Sequence, residues 1–129
     1  MYDPTDPRST LTKAPSAGAA PSGVAADAEY GLFYKDPPQE NDANGKTWYS
    51  RAQNFLVAYS EAKPGATFER ANQIDEFVVL VPDNDTPFVA TAGAQEERGE
   101  GYCLIVMPPG KSKLVFPKGG RVVRLFTTQ

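Results

Sequence analysis

The sequence predicts an all-β domain, an antiparallel sandwich or barrel preceded by an extended arm, on three observations. From residue 30 onward, short apolar or alternating segments recur at close intervals. Turns built from Pro, Gly and Asn separate them, and no segment holds a convincing helical period. A chain of 129 residues with 40% apolar content carries material for one modest core, so a single domain is expected over residues 30–129. Residues 1–29 are rich in Pro, Ala, Ser, Gly and Thr and poor in large side chains. They are expected to form an arm that lies along a neighbouring subunit or along the domain's own sheet.

In order, residues 30–34 (YGLFY) read as a short strand and residues 35–46 (KDPPQENDANGK) as a polar loop with Pro-Pro and Asn-Gly turns. Residues 47–62 carry two periods: Phe55, Val57 and Tyr59 alternate as on a half-buried strand, whereas Trp48, Ala52 and Phe55 suit a helical face. Aromatic and branched residues, with the closing Lys63-Pro64-Gly65 turn, favour strand. The organising stretch is residues 64–83 (PGATFERANQIDEFVVLVPD), in which residues 66–70 form a short strand and residues 75–81 a long apolar one. After a turn at 82–85 come a strand at 86–92, an acidic loop at 93–101, a strand at 102–107 and a Pro-Pro-Gly turn. Short strands at 113–116 and 122–127 follow, with a Lys-Gly-Gly turn between them.

Composition narrows the chemistry. The net charge of −3 arises from mixed charges with no basic run, so a nucleic acid partner is not expected. The longest apolar runs, residues 77–81 and 103–107, fall far short of the roughly 20 residues that span a bilayer, so no membrane association is expected. The start of the sequence has neither the basic opening nor the apolar centre of a secretory signal, and the single Cys103 has no intrachain disulfide partner. A reducing cytoplasm is the expected compartment. Histidine is absent altogether, which removes the commonest general base at neutral pH and the usual nitrogen and sulfur zinc site. No cofactor is expected.

Two stretches resemble the cupins, small jelly-roll barrels defined by two motifs. The first family motif places a glycine, His-x-His and a glutamate before a short apolar strand. Here Pro64-Gly65 stands at its start, Asp75-Glu76 at the acid and residues 77–83 at the strand and turn. The second has the form Pro-x-Gly, two residues, His. Residues 108–113 (PPGKSK) match it with Lys113 at the histidine position, and the resemblance covers residues 55–126. Counting from Gly65 puts the two histidine positions at Ala71 and Gln73, from Asp75 at Glu69 and Ala71, and from Glu76 at Arg70 and Asn72. The resemblance therefore implies a cupin-like barrel with a degenerate metal site.

In such a barrel the expected polar lining is Glu69 or Arg70, Gln73, Asp75 or Glu76, and Lys113, with Tyr102 as a further ligand-binding candidate. Alternation allows only one of Asp75 and Glu76 to point inward. An interior carboxylate facing Lys113 would form an ion pair able to orient a small polar ligand. The principal expectation is a barrel that binds such a ligand or serves as a structural, dimerising unit. One alternative is a metal-independent isomerase, epimerase or lyase on a sugar or organic acid, using Glu69 or Asp75 with Lys113 as acid and base. Another is a dioxygenase with a metal on Glu69, Gln73 and Glu76. Trp48 and Tyr49 are candidates for the entrance, and Cys103 is read as a small apolar residue. The final strand, with little sequence after it, is read as an open edge expected to associate with a second copy or a second cupin barrel.

Overall fold

The computed structural model describes residues 31–127, and the expected arm lies outside them. Ten strands occur among these residues: β1 (Glu40–Asp42), β2 (Gly45–Arg51), β3 (Phe55–Ala62), β4 (Ala66–Gln73), β5 (Phe77–Val81), β6 (Phe88–Ala92), β7 (Gln95–Gly99), β8 (Cys103–Met107), β9 (Gly110–Phe116) and β10 (Gly120–Thr127). They form a six-stranded sheet in the order β1-β2-β3-β10-β5-β8 and a four-stranded sheet in the order β4-β9-β6-β7. Every pairing is antiparallel. Sheets folded in this way alternate between core and solvent, and β10 shows it plainly. Val122, Arg124 and Phe126 are buried, while Arg121, Leu125 and Thr127 are exposed and Val123 is half-buried.

The apolar interior is built from both inner faces. Val79 and Val81 of β5 and Val122 of β10 meet Phe88, Ala90, Leu114 and Phe116 from the smaller sheet. Phe77 and Phe126 stack with ring centroids 5.0 Å apart, and Phe68 meets Phe116 edge-on at 6.0 Å. Burying each such side chain contributes about 1.5–3 kcal/mol. The Lys118-Gly119-Gly120 turn that launches β10 needs glycine. Gly119 has φ 72°, and a Cβ there would lie 2.4 Å from the Ala62 carbonyl oxygen.

Several expectations are corrected. Residues 31–36 form a turn, closed by the Lys35 amide donating to the Leu32 carbonyl at 2.8 Å, in place of a strand. Phe33 is used as a cover, stacked on Tyr59 at 4.8 Å and tilted against Trp48 at 6.2 Å. The block at 47–62 is a hairpin of two strands, because Ala52 bonds back to Phe55 at 2.9 Å. The polar loop at 35–46 contributes β1, and the acidic loop at 93–101 is largely strand β7, whose side chains are mostly exposed. The last strand is no open edge: β10 lies between β3 and β5 in the middle of the larger sheet. Among the described residues no helix is long and apolar enough to cross a membrane.

Candidate functional site

The polar part of the interior centres on Arg124, halfway along β10. In register it opposes Ala58 of β3 and Val79 of β5, two buried residues without polar side chains. Arg124 is itself only 9% exposed. Its guanidinium reaches across to the smaller sheet and lies 4.1 Å from the Phe68 ring centroid, a cation–π contact worth about 2 kcal/mol when desolvated. Its Nη2 donates to Ser60 Oγ at 3.1 Å, and Ser60 shares a 2.8 Å hydrogen bond with Thr47. Its Nε has no hydrogen-bond partner. Among the described residues no carboxylate lies within 4.0 Å of it, since the ion pairs involve Arg98, Lys113 and Arg121. Burial pushes the Arg124 pKa down, Tyr49 and Glu40 act in the opposite sense, and Arg70 adds to the lowering.

A second guanidinium stands nearby. Arg70 of β4 lies 4.8 Å from the Phe126 ring centroid, and Arg124 lies 6.0 Å from the same ring. Arg70 Nε donates to Gln73 Oε1 at 2.9 Å, Gln73 Nε2 donates to Asp75 Oδ1 at 3.2 Å, and the Thr127 hydroxyl donates to Asp75 Oδ2. A register shift between Arg70 and Gln73 in the β4–β9 ladder permits this. Side chains three residues apart, which alternation would send to opposite faces, are brought together. Buried Ser112 opposes Arg70, and Tyr49 opposes Ala58 beside Arg124. Burial, then hydrogen bonding and charge from Glu40, push the Tyr49 phenol up, while Arg124 and Arg70 pull it down. The phenol's own hydrogen bond runs to the Glu40 carboxylate. The buried Arg124 guanidinium, the exposed Arg70 guanidinium and the Ser112 hydroxyl thus gather beside Phe68 and Phe126.

Of the residues singled out from sequence, Arg70 and Gln73 belong to this region. Lys113 and Glu69 do pair, at 3.6 Å, but their side chains are 49% and 64% exposed, which corrects the expectation that they line the interior. In β9 the buried positions are Ser112, Leu114 and Phe116, so Lys113 points the other way, and Glu69 opposite it shares that outer face. Glu76 is exposed and Asp75 half-buried, so the acid that approaches the interior is the one bonded to Gln73. Tyr102 is 77% exposed on the outside. Trp48 faces outward beneath Phe33, its indole N–H donating to the Asp36 carbonyl at 2.8 Å. Arg124, Ser60, Ser112 and Thr47 escaped the sequence reading. The alternation in GRVVRLFT was the available signal, since it sets an arginine on the same face as Val122 and Phe126.

A cupin-type metal does not fit these residues. No three carboxylate or thiol side chains converge among the described residues, and Glu69 and Lys113 face outward. The interior instead holds the buried Arg124 guanidinium, which would repel a cation.

No family model matches the sequence, and no curated protein matches it. Solved structures do. An RmlC-like cupin from Shewanella frigidimarina superposes with a TM-score of 0.66 at 13% identity, over 80% of this chain and 93% of that one. KdgF from Halomonas sp. gives 0.63 at 11% identity, over 80% and 96%. The cupin domain of Cnp3 from Schizosaccharomyces pombe gives 0.57 at 13% identity, over 75% and 72%. With two antiparallel sheets enclosing one core and this set of structural neighbours, the described domain has the cupin jelly-roll fold.

Proposed function

We propose that this cupin-like barrel binds a small organic carboxylate through Arg124, with Arg70 and Ser112 as further donors. The observation that carries the reading is Arg124: a cation nine-tenths buried, lacking a described carboxylate within ion-pair distance, with Nε left without an acceptor. An unpaired charge in a protein interior costs several kcal/mol, and one serine hydroxyl with one aromatic face offsets only part of that. A bound carboxylate would complete the set, because the planar guanidinium fork matches its two oxygens. The rings of Phe68 and Phe126 favour an anion with an apolar body over a bare inorganic one. Acid–base catalysis by Glu69 and Lys113 gains no support from their outward placement.

The closely filled half of the interior, where Phe116, Leu114, Val79 and Val122 leave almost no exposure, favours a second reading. The barrel would be a scaffold and Arg124 a packing residue. Thermal melts of the full chain in benzoate, citrate and inorganic phosphate at matched ionic strength separate the two readings. A carboxylate at 100 times its dissociation constant adds about 2.7 kcal/mol, or roughly 10–20 °C for a domain of about 100 residues. The carboxylate reading expects such a rise with benzoate or citrate and little with phosphate. Equal melting temperatures in all three would leave the scaffold reading standing.

A further inference from the structure

Two strand edges that follow one another in the chain leave the barrel open along one side. β7 ends the four-stranded sheet and β8 the six-stranded one, and each pairs with a single neighbour. Residues directly opposite across a ladder share a face, so Gln95 and Glu97, opposite Ala92 and Ala90, point to the inner side of their sheet. With no described strand beyond β7 to cover them, both stay exposed. They wall a cleft of about 110 Å³ whose floor is Ala90, Ala92, Ile105 and Met107. Glu96 and Arg98 point the other way and pair with each other at 2.9 Å. Among the described residues Glu97 accepts from the Gln95 amide at 3.3 Å and meets no cation. The facing edge is unguarded. β8 reads CLIVM, without a charge or proline, whereas β7 (QEERG), β1 (END) and β4 (ATFERANQ) at the other edges all carry charges. Along such an edge every second residue turns its N–H and C=O away from the ladder.

We infer that this cleft takes an extended segment of another polypeptide, added as a strand beside β8, in which lysine or arginine alternates with branched apolar residues. The outward backbone groups of β8 supply the ladder partners. Alternation then sends one row of incoming side chains into the cleft and the other to the outer face. The inner row meets an apolar floor and the Glu97 carboxylate. A long basic side chain fits both, its methylene stem lying along Ala92 and Ile105 while its charge meets Glu97. The outer row continues that of Leu104 and Val106, 61% and 55% exposed, where branched apolar side chains pack across the strands. Charge selects the same class of partner. The chain carries −3 overall and the cleft holds a carboxylate without a counter-charge, so a basic segment is drawn in and an acidic one repelled. Size disfavours a small molecule, since sites for such ligands enclose about 300–1,000 Å³. The chain's own first 30 residues lack the pattern: Arg8 and Lys13 stand against Asp3, Asp6, Asp27 and Glu29, and neither cation alternates with branched apolar residues.

Fluorescence anisotropy of a labelled hexapeptide of alternating lysine and valine, titrated with the full chain, tests the inference. Saturable binding to the wild type is expected. The glutamate–valine counterpart should bind at least about 10-fold more weakly, and so should the lysine peptide to Glu97→Lys. Glu69→Lys changes the net charge equally on the outer face of the smaller sheet and should bind as the wild type does. A fully N-methylated lysine–valine peptide keeps its charges but has no N–H to donate, and its binding should be lost. Circular dichroism identical to the wild type's confirms that both variants fold. The inference is overturned if the wild type shows no binding at about 1 mM chain, or if Glu97→Lys binds with unaltered affinity. Equal weakening in Glu97→Lys and Glu69→Lys overturns it too, by reducing the contact to net charge. Undiminished binding of the N-methylated peptide does so as well, because no strand would then have been added.

Discussion

On the outside of the barrel, Arg121 holds Asp83 with two hydrogen bonds, Arg98 meets Glu96 at 2.9 Å and Lys113 meets Glu69 at 3.6 Å. In the interior, Arg124 has a serine hydroxyl and a phenyl ring, while the exposed Arg70 nearby has a glutamine amide and a phenyl ring. Cations that water would have solvated are matched with anions, and the cation that water does not reach is left unmatched. Solvent screens the outer pairs, so each contributes about 0–1 kcal/mol and says little about function. The interior arginine is costly to the fold, and that cost is what makes it informative.

Five substitutions, the last followed through a pH titration, can break or sharpen this contrast. The largest effect belongs to the packed half: Phe116→Ala is expected to destabilise by about 3–5 kcal/mol in a urea melt, whatever anion is present. Arg124→Met should leave the ligand-free barrel equal in stability or raise it by about 1–4 kcal/mol, because an unpaired buried charge is exchanged for an apolar chain of similar length. A loss of 3 kcal/mol or more would mean that Arg124 is already satisfied. Ser60→Ala removes its acceptor and should cost about 1–3 kcal/mol. Lys113→Ala should change stability by less than about 1 kcal/mol, an effect that shrinks further in 1 M salt.

The smallest effect concerns Asp83, whose carboxyl the Arg121 hydrogen bonds hold below its ordinary value. A folded-state pKa that is depressed gives stability that is fully present above the ordinary carboxylate value and lost as pH falls through the lower folded one. The Asp83→Asn difference in urea midpoint should therefore be constant from pH 7 to 5 and be lost as pH falls well below the ordinary carboxylate value. A difference that persists there would show that the pair acts through packing.

Sequence alone carried the all-β architecture because strand alternation and turn residues are local. Residues 77–81 and 122–127 needed no tertiary knowledge to read as strands, and the Pro-Pro-Gly turn after β8 located the second motif. Facing and sheet order were less accessible. Lys113 was assigned inward from its motif position, yet the buried set of β9 falls on Ser112, Leu114 and Phe116, and a shift of one residue reverses every side chain. β10 seemed an edge because it comes last, but antiparallel closure inserts the final strand between β3 and β5. Arg70 and Gln73 meet through a 2.9 Å hydrogen bond although alternation argues against both pointing one way; the bulge between them is set by tertiary pairing. Arg124 is legible in GRVVRLFT, where alternation sets it on the face of Val122 and Phe126, but it lies in neither motif.

Isothermal titration of benzoate and citrate into the full wild-type chain, repeated with Arg124→Met and Lys113→Ala, tests the central claim most directly. The account predicts saturable binding of at least one of the two carboxylates to the wild type and to Lys113→Ala, and its loss in a folded Arg124→Met. Equal binding by wild type and Arg124→Met, or loss of binding in Lys113→Ala alone, would contradict it.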